Sequence, residues 1–191
     1  MTMRTGMLLL FPGAGSGRDQ STLVAVDRAV SALAGWSVVR ADFPYRKAGR
    51  RAPDKPEVLM AAVREELSSI GSRRNVVVGG RSMGGRICSM VAAGADGVAA
   101  PKGLRGVVTI SYPLHPPGRP DRLRVDHLRD VAVPWLFVHG DRDPFGAPAE
   151  LEHWTATVGG PVTHEWLTGG HDLKGKDAAV ASVVAAWLRS L

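Results

Sequence analysis

Six short strand-like runs recur along the chain, at 7–11, 37–41, 76–79, 107–110, 133–138 and 162–167, with stretches of helical spacing between them. Most of these runs are unbroken apolar segments rather than alternating ones. Strands buried on both faces read that way, because crossover helices cover both sides of a parallel sheet. The pattern therefore predicts an α/β chain with a three-layer, doubly wound, mostly parallel sheet of six strands. Helices are expected at about 21–33, 57–68, 83–95, 148–158 and 174–188, with Asp19 or Ser21 capping the first and a shorter helix over 122–128. The stretches 43–56 and 112–121 are too rich in Pro and basic residues for regular structure. No linker, repeat or composition break divides the 191 residues, so one domain covering residues 1–191 is expected.

Charge and cysteine content limit the partners. Lys and Arg number 24 against 18 Asp and Glu, a formal charge of +6. The densest basic runs are Arg46, Lys47, Arg50 and Arg51, then Arg73 and Arg74, then Arg119, Arg122 and Arg124. Neither aromatic interleaving nor a nucleic-acid module surrounds them, so they read as solvated surface, with no nucleic-acid partner expected. Cys88 is the only cysteine, which excludes an intramolecular disulfide and suits a reducing compartment. The apolar start at 7–11 is too short for an export signal or a membrane span, so the expected location is the cytoplasm, without membrane attachment.

The chemistry-bearing pattern is Gly80-Arg81-Ser82-Met83-Gly84, placed between an expected strand and an expected helix. A serine on such a tight turn projects its hydroxyl above the sheet edge, and small neighbours two residues to either side avoid clashes. The bland alternative is a glycine-rich turn in which Ser82 merely caps the helix. A hydroxyl needs a base to take its proton. Of His115, His127, His139, His153, His164 and His171, only His171 sits in a loop between the last expected strand and the last helix, where sites of open α/β sheets gather. An acid must then orient the imidazole. Asp141 and Asp143 both follow the fifth strand. Asp143 has the better position, two residues deeper in the loop, while Asp141 is suited to capping that loop or pairing with Arg142. Backbone donors for an oxyanion are expected from Met83, directly after the serine, and from Ala14 in Pro12-Gly13-Ala14-Gly15. That small-residue loop lacks the Gly-Lys-Ser/Thr ending of a phosphate cradle, and no histidine–acid cluster has metal-ligand spacing, so no cofactor or metal is expected.

Across nearly its whole length the chain resembles the α/β-hydrolase superfamily. It looks specifically like a small branch described as KANL3/Tex30-like, close to dienelactone hydrolases. The likeness rests on Pro12-Gly13-Ala14-Gly15, on Phe43-Pro44-Tyr45 with Gly49-Arg50-Arg51-Ala52-Pro53, and on Gly80-Arg81-Ser82-Met83-Gly84-Gly85. It extends through Ser111-Tyr112-Pro113-Leu114-His115-Pro116-Pro117-Gly118, His139-Gly140-Asp141-Arg142-Asp143 and Gly170-His171. The order Ser82, Asp143, His171 is the superfamily's order. The resemblance implies these three as the triad, with Met83 and Ala14 as oxyanion donors. The longest insert, Tyr112 to Asp121, is too short to build a lid of several helices, so a minimal six-stranded sheet without a cap domain is expected. The family loop begins His-Gly where this chain has Pro12-Gly13, a change that leaves the backbone donor in place. The chain also opens on what would be the superfamily's third strand, so a modified sheet edge is expected.

The function expected from these features is hydrolysis of small carboxylic esters or thioesters through an acyl-enzyme on Ser82. Arg81, Tyr112 and His115 are expected to line the substrate pocket, with the prolines from Pro113 to Pro117 stiffening its mouth. The competing expectation is an interaction protein on a hydrolase scaffold, with a protein partner or a second copy of the chain. It is motivated by the basic loops and by assembly-bound members of the branch.

Overall fold

The computed structural model describes residues 6–71 and 75–191. Arg73 and Arg74 lie outside the described residues. The elements in chain order are β1 (Gly6–Phe11), α1 (Ser21–Ser31), β2 (Trp36–Arg40), α2 (Pro44–Lys47), α3 (Pro56–Ile70), β3 (Asn75–Arg81), α4 (Met83–Ala93), β4 (Leu104–Ile110), β5 (Trp135–Gly140), α5 (Pro148–Thr155), β6 (Val162–Leu167) and α6 (Asp177–Arg189).

The strands form one six-stranded sheet in the order β2-β1-β3-β4-β5-β6, and every neighbouring pair is parallel. Alternation along each strand divides the core in two. Leu9, Phe11, Val76, Val78, Trp135 and Phe137 face the layer of α3, α4 and α5. Leu8, Leu10, Val77, Leu136 and Val138 face α1 and α6. Each fully buried Leu or Val adds about 1.5–3 kcal/mol relative to exposure, so strands apolar on both faces are held from both sides. The edge strands are the exceptions: β2 is mostly half-exposed, and β6 alternates between half-exposed and exposed positions.

Connection β1→β2 runs to one side of β1, and the chain then crosses back so that β3 lies on its other side. This reversal is the switch point of an open α/β sheet. Loops leaving the carboxyl ends of the two flanking strands diverge there and leave a crevice. Those loops carry Gly13–Ala14 after β1 and Ser82 after β3.

Three local expectations need correction. The stretch 43–56 contains one helical turn, α2, because Pro44 at its first position has φ already set and no N–H to satisfy. The helix expected over 122–128 is absent, and only a 3-10 turn at Leu128–Asp130 forms. Its backbone groups are committed elsewhere: Arg124 N–H donates to the Leu114 carbonyl at 2.9 Å and the Arg124 carbonyl accepts from the Tyr112 hydroxyl at 2.7 Å. Neither Asp19 nor Ser21 caps α1. Gln20 is the cap residue, and the Asp19 carboxylate instead accepts from Arg40 at 2.7 Å. Among the described residues no helix is long and apolar enough to cross a membrane.

Candidate active site

Ser82 has φ 49 and ψ −118, a backbone conformation that costs a non-glycine residue about 1–3 kcal/mol. Its surroundings hold it there. The Ser82 N–H donates to the Ile110 carbonyl at 2.8 Å, and its carbonyl accepts from the Arg86 N–H at 3.0 Å. A Cβ on Gly80 or Gly84 would collide with the Phe11 carbonyl, so the turn can lie against the end of β1 only with glycine at both places. Ser82 stands at the cap position of α4, yet its side chain makes no capping bond. The hydroxyl is directed to His171 instead, with Oγ 2.8 Å from Nε2, which removes the reading of an ordinary helix cap.

His171 Nδ1 lies 2.8 Å from Asp143 Oδ2. An ionised carboxylate only accepts, so the Nδ1 proton points to Asp143 and the Nε2 lone pair faces the Ser82 hydroxyl. Asp143 is buried, and its other oxygen accepts from the Phe145 N–H at 2.8 Å. His139 of β5 also stands close: its Nε2–H bonds the Gly146 carbonyl at 2.9 Å, and Nε2 lies 3.2 Å from Asp143 Oδ2. Burial lowers the pKa of His139, against an opposing pull from Asp143, and so favours the neutral ring. Phe145 also stacks on His171, with ring centroids 3.9 Å apart and planes at 27°. Asp141 does different work. Its Oδ1 accepts from the Gly169 N–H at 2.9 Å, tying the loop after β5 to the loop after β6, and Arg142 lies 3.5 Å away.

A cavity of about 390 Å³ opens onto this chain of groups, with Ser82, His171, Met83 and Ala14 in its wall. Gly13 lies against the serine, since a Cβ on it would sit 3.5 Å from Ser82 Cβ. Pro113 and Phe145 supply the apolar wall. Arg81 also lines the cavity, but its Nη2 donates to the His171 carbonyl at 2.9 Å. Burial lowers the Arg81 pKa, while Asp172, Asp177 and Asp143 act to raise it.

Two residues expected at the pocket mouth are elsewhere. Tyr112 is fully buried, edge-on to Trp135 and Phe137, and burial pushes its phenol pKa up. His115 is also buried, with Nδ1 2.9 Å from the Pro116 carbonyl and Nε2 3.5 Å from Glu150. Beyond Ser111 the segment turns down into the core, so Pro113 alone of this run reaches the cavity wall. The remaining histidines serve packing: His127 bonds Ser89, His164 bonds Thr155, and His153 packs edge-on to Trp154.

The structure adds Arg86, Arg124 and Phe145 to the cavity wall. Arg86 is legible in hindsight, four residues past Ser82 and therefore on the same helical face. Arg124 and Phe145 carry no such signal. Among the described residues no group of three or more His, Cys, Asp or Glu side chains has the arrangement of a metal site.

A family profile described as alpha/beta hydrolase domain matches residues 4–187. Among solved structures, the chain is similar to Est1E from Butyrivibrio proteoclasticus with ferulic acid bound (13% identity, 99% of this chain and 90% of that one, TM-score 0.77). It is similar to a dienelactone hydrolase from Anabaena variabilis (20% identity, 98% and 87% covered, TM-score 0.75). It is also similar to RedJ, a thioesterase of the prodiginine biosynthetic pathway in Streptomyces coelicolor (20% identity, 93% and 88% covered, TM-score 0.69). At these identities the structural likeness is one of fold. The family profile spans nearly the whole sequence, and the chain belongs to the alpha/beta hydrolase domain family.

Proposed function

We propose that this protein is a serine hydrolase that cleaves small carboxylic esters or thioesters through an acyl-enzyme on Ser82. The observation that carries the reading is the unbroken chain from Ser82 Oγ to His171 Nε2 and from His171 Nδ1 to Asp143, each link 2.8 Å, at the wall of a cavity. Ser82 Oγ attacks the carbonyl carbon as His171 Nε2 takes its proton, and Asp143 holds the resulting imidazolium. The N–H of Met83, which has no intrahelical acceptor at the start of α4, faces the developing oxyanion together with the N–H of Ala14. Collapse breaks the C–O or C–S bond, and His171 passes the proton to the leaving oxygen or sulfur. Water then attacks the acyl carbon, His171 takes a proton from it, and that proton returns to Ser82. One water is consumed, and an acid and an alcohol or thiol leave. The motif runs from Pro12 to His171 support placing the chain in the KANL3/Tex30-like branch. The names of the dienelactone hydrolase and the RedJ thioesterase bear on the substrate class.

A fluorophosphonate probe with intact-mass detection tests this. The wild type is expected to gain one adduct, on Ser82, and His171→Ala is expected to slow labelling by at least about a thousand-fold. An unlabelled wild type, or equal labelling of His171→Ala, removes the activated serine and leaves the interaction protein on a hydrolase scaffold.

A further inference from the structure

We infer that Arg86 and Arg124 form an anion-binding subsite beside Ser82, so that the preferred ester or thioester carries a carboxylate or phosphate within a few atoms of the scissile carbonyl. The inference rests on the serine-hydrolase reading above and names its substrate class. Both residues line the cavity that Ser82 and His171 line. Neither has a carboxylate partner among the described residues, whereas Arg18, Arg40, Arg50, Arg64, Arg119 and Arg142 each pair with an aspartate. Residues 1–5 and 72–74 contain no Asp or Glu that could supply one. The Arg86 Nε is buried without a hydrogen-bond partner, which is unfavourable, and more so for a charged group.

The two charges also act on each other. Burial, and then the nearby Arg86, lower the pKa of Arg124. Two half-buried like charges are held together at a cost that an anion between them would relieve. The backbone keeps both in place. Arg86 lies one turn along α4 from Ser82, about 6 Å in helical rise. Arg124 is fastened by its N–H to the Leu114 carbonyl, by its carbonyl to the Tyr112 hydroxyl, and by its Nη1 to the Pro113 carbonyl at 3.3 Å. Arg81 Nε is likewise buried without a partner, but its Nη2 donates to the His171 carbonyl and Asp172, Asp177 and Asp143 lie near it. It steadies the histidine loop and leaves Arg86 and Arg124 as the uncompensated pair. A guanidinium presents paired donors that match carboxylate and phosphate oxygens, and such charge-assisted bonds are about twice as strong as neutral ones.

The test compares mono-p-nitrophenyl glutarate with p-nitrophenyl valerate, which match in chain length and differ in the terminal charge. The wild type is expected to favour the charged ester in kcat/KM by about ten-fold or more. Arg86→Gln and Arg124→Gln should each bring that ratio towards one, while Arg86→Lys retains part of it. Arg122→Gln, on the exposed side of the same basic run, should leave the ratio and the turnover unchanged. In parallel, Ser82→Ala protein is titrated calorimetrically with monoethyl glutarate and with ethyl 3-phosphonopropionate. Binding that Arg86→Gln weakens supports the subsite, and the tighter of the two ligands identifies the anionic group. A wild-type ratio near one, or binding indifferent to Arg86 and Arg124, overturns the subsite even if both esters are hydrolysed. Arg86-dependent binding without hydrolysis of either ester upholds the subsite and defeats the reading of Ser82 as nucleophile.

Discussion

His127 lies beneath α4 with Nε2 2.8 Å from the Ser89 hydroxyl, and that hydroxyl lies 2.7 Å from the Arg86 carbonyl. Since the hydroxyl hydrogen goes to the carbonyl, Nε2 is the protonated nitrogen of a neutral ring. Burial, and after it the charge of Arg86, lower the His127 pKa to about 4 from 6.5. The unfolded chain takes up the proton near 6.5 and the folded chain only near 4, so between these values the unfolded state holds more protons. Stability therefore rises with pH across that window and is lost as pH falls through it, by an amount on the order of 3 kcal/mol. His127→Gln is expected to be less stable at about pH 7.5 but to lose less on going to about pH 4.5, measured by denaturant midpoints. A variant that falls as steeply as the wild type would show that His127 does not set the slope. The same residue-scale view explains Asp143. It is the buried acceptor on which Phe145 and His171 converge, with His139 beside it, while Asp141, two positions earlier, is spent on joining loops.

At the scale of elements, the unit that positions the chemistry is β3, its turn and α4, packed onto the end of β1. A Cβ on Gly84 would meet the carbonyls of Phe11 and Pro12, so α4 starts in contact with the backbone that leads into Gly13 and Ala14. Propensity alone favours Ala over Gly in a helix by about 1 kcal/mol. Gly84→Ala is nevertheless expected to destabilise the protein by about 1–3 kcal/mol and to reduce ester turnover. An unchanged or raised melting temperature would mean that the contact with β1 is not tight. This unit was legible in the sequence, because the strand, the glycines and the helix start lie within a few residues of one another. The connection from β4 to β5 was not. Its residues around Arg122 to Leu128 have helical composition, and only their bonds to Leu114 and Tyr112 draw them out of a helix.

For the whole molecule, the sheet order places the loops after β1 and β3 at the switch point, and the loops after β5 and β6 bring Asp143 and His171 over it. Leu114, Leu128 and Val131 anchor the β4–β5 connection in the core beside α4, so it forms a wall of the cavity and no lid. A cavity of about 390 Å³ with such a wall suits a short acyl chain. Across p-nitrophenyl esters, kcat/KM is expected to be greatest near butyrate and to fall by about ten-fold or more at palmitate. Equal turnover of palmitate would mean that the cavity extends or opens further than this wall allows.

The sequence by itself determined the parallel layering and the turn that carries Ser82. It also determined the loops that hold the candidate base and acid. Apolar runs, glycine spacing and strand-to-helix order act over a few residues, so they can be read without knowing what lies opposite. Tertiary structure decided what converges on the cavity. Arg124 belongs to a basic run that reads as solvated surface, yet it turns inward beside Arg86, while Tyr112 and His115 leave the mouth for the interior. Phe145 stacks on a histidine that lies on another loop. Charge compensation, desolvation and ring stacking depend on which groups meet across elements distant in sequence, and that information exists only once the sheet has been assembled.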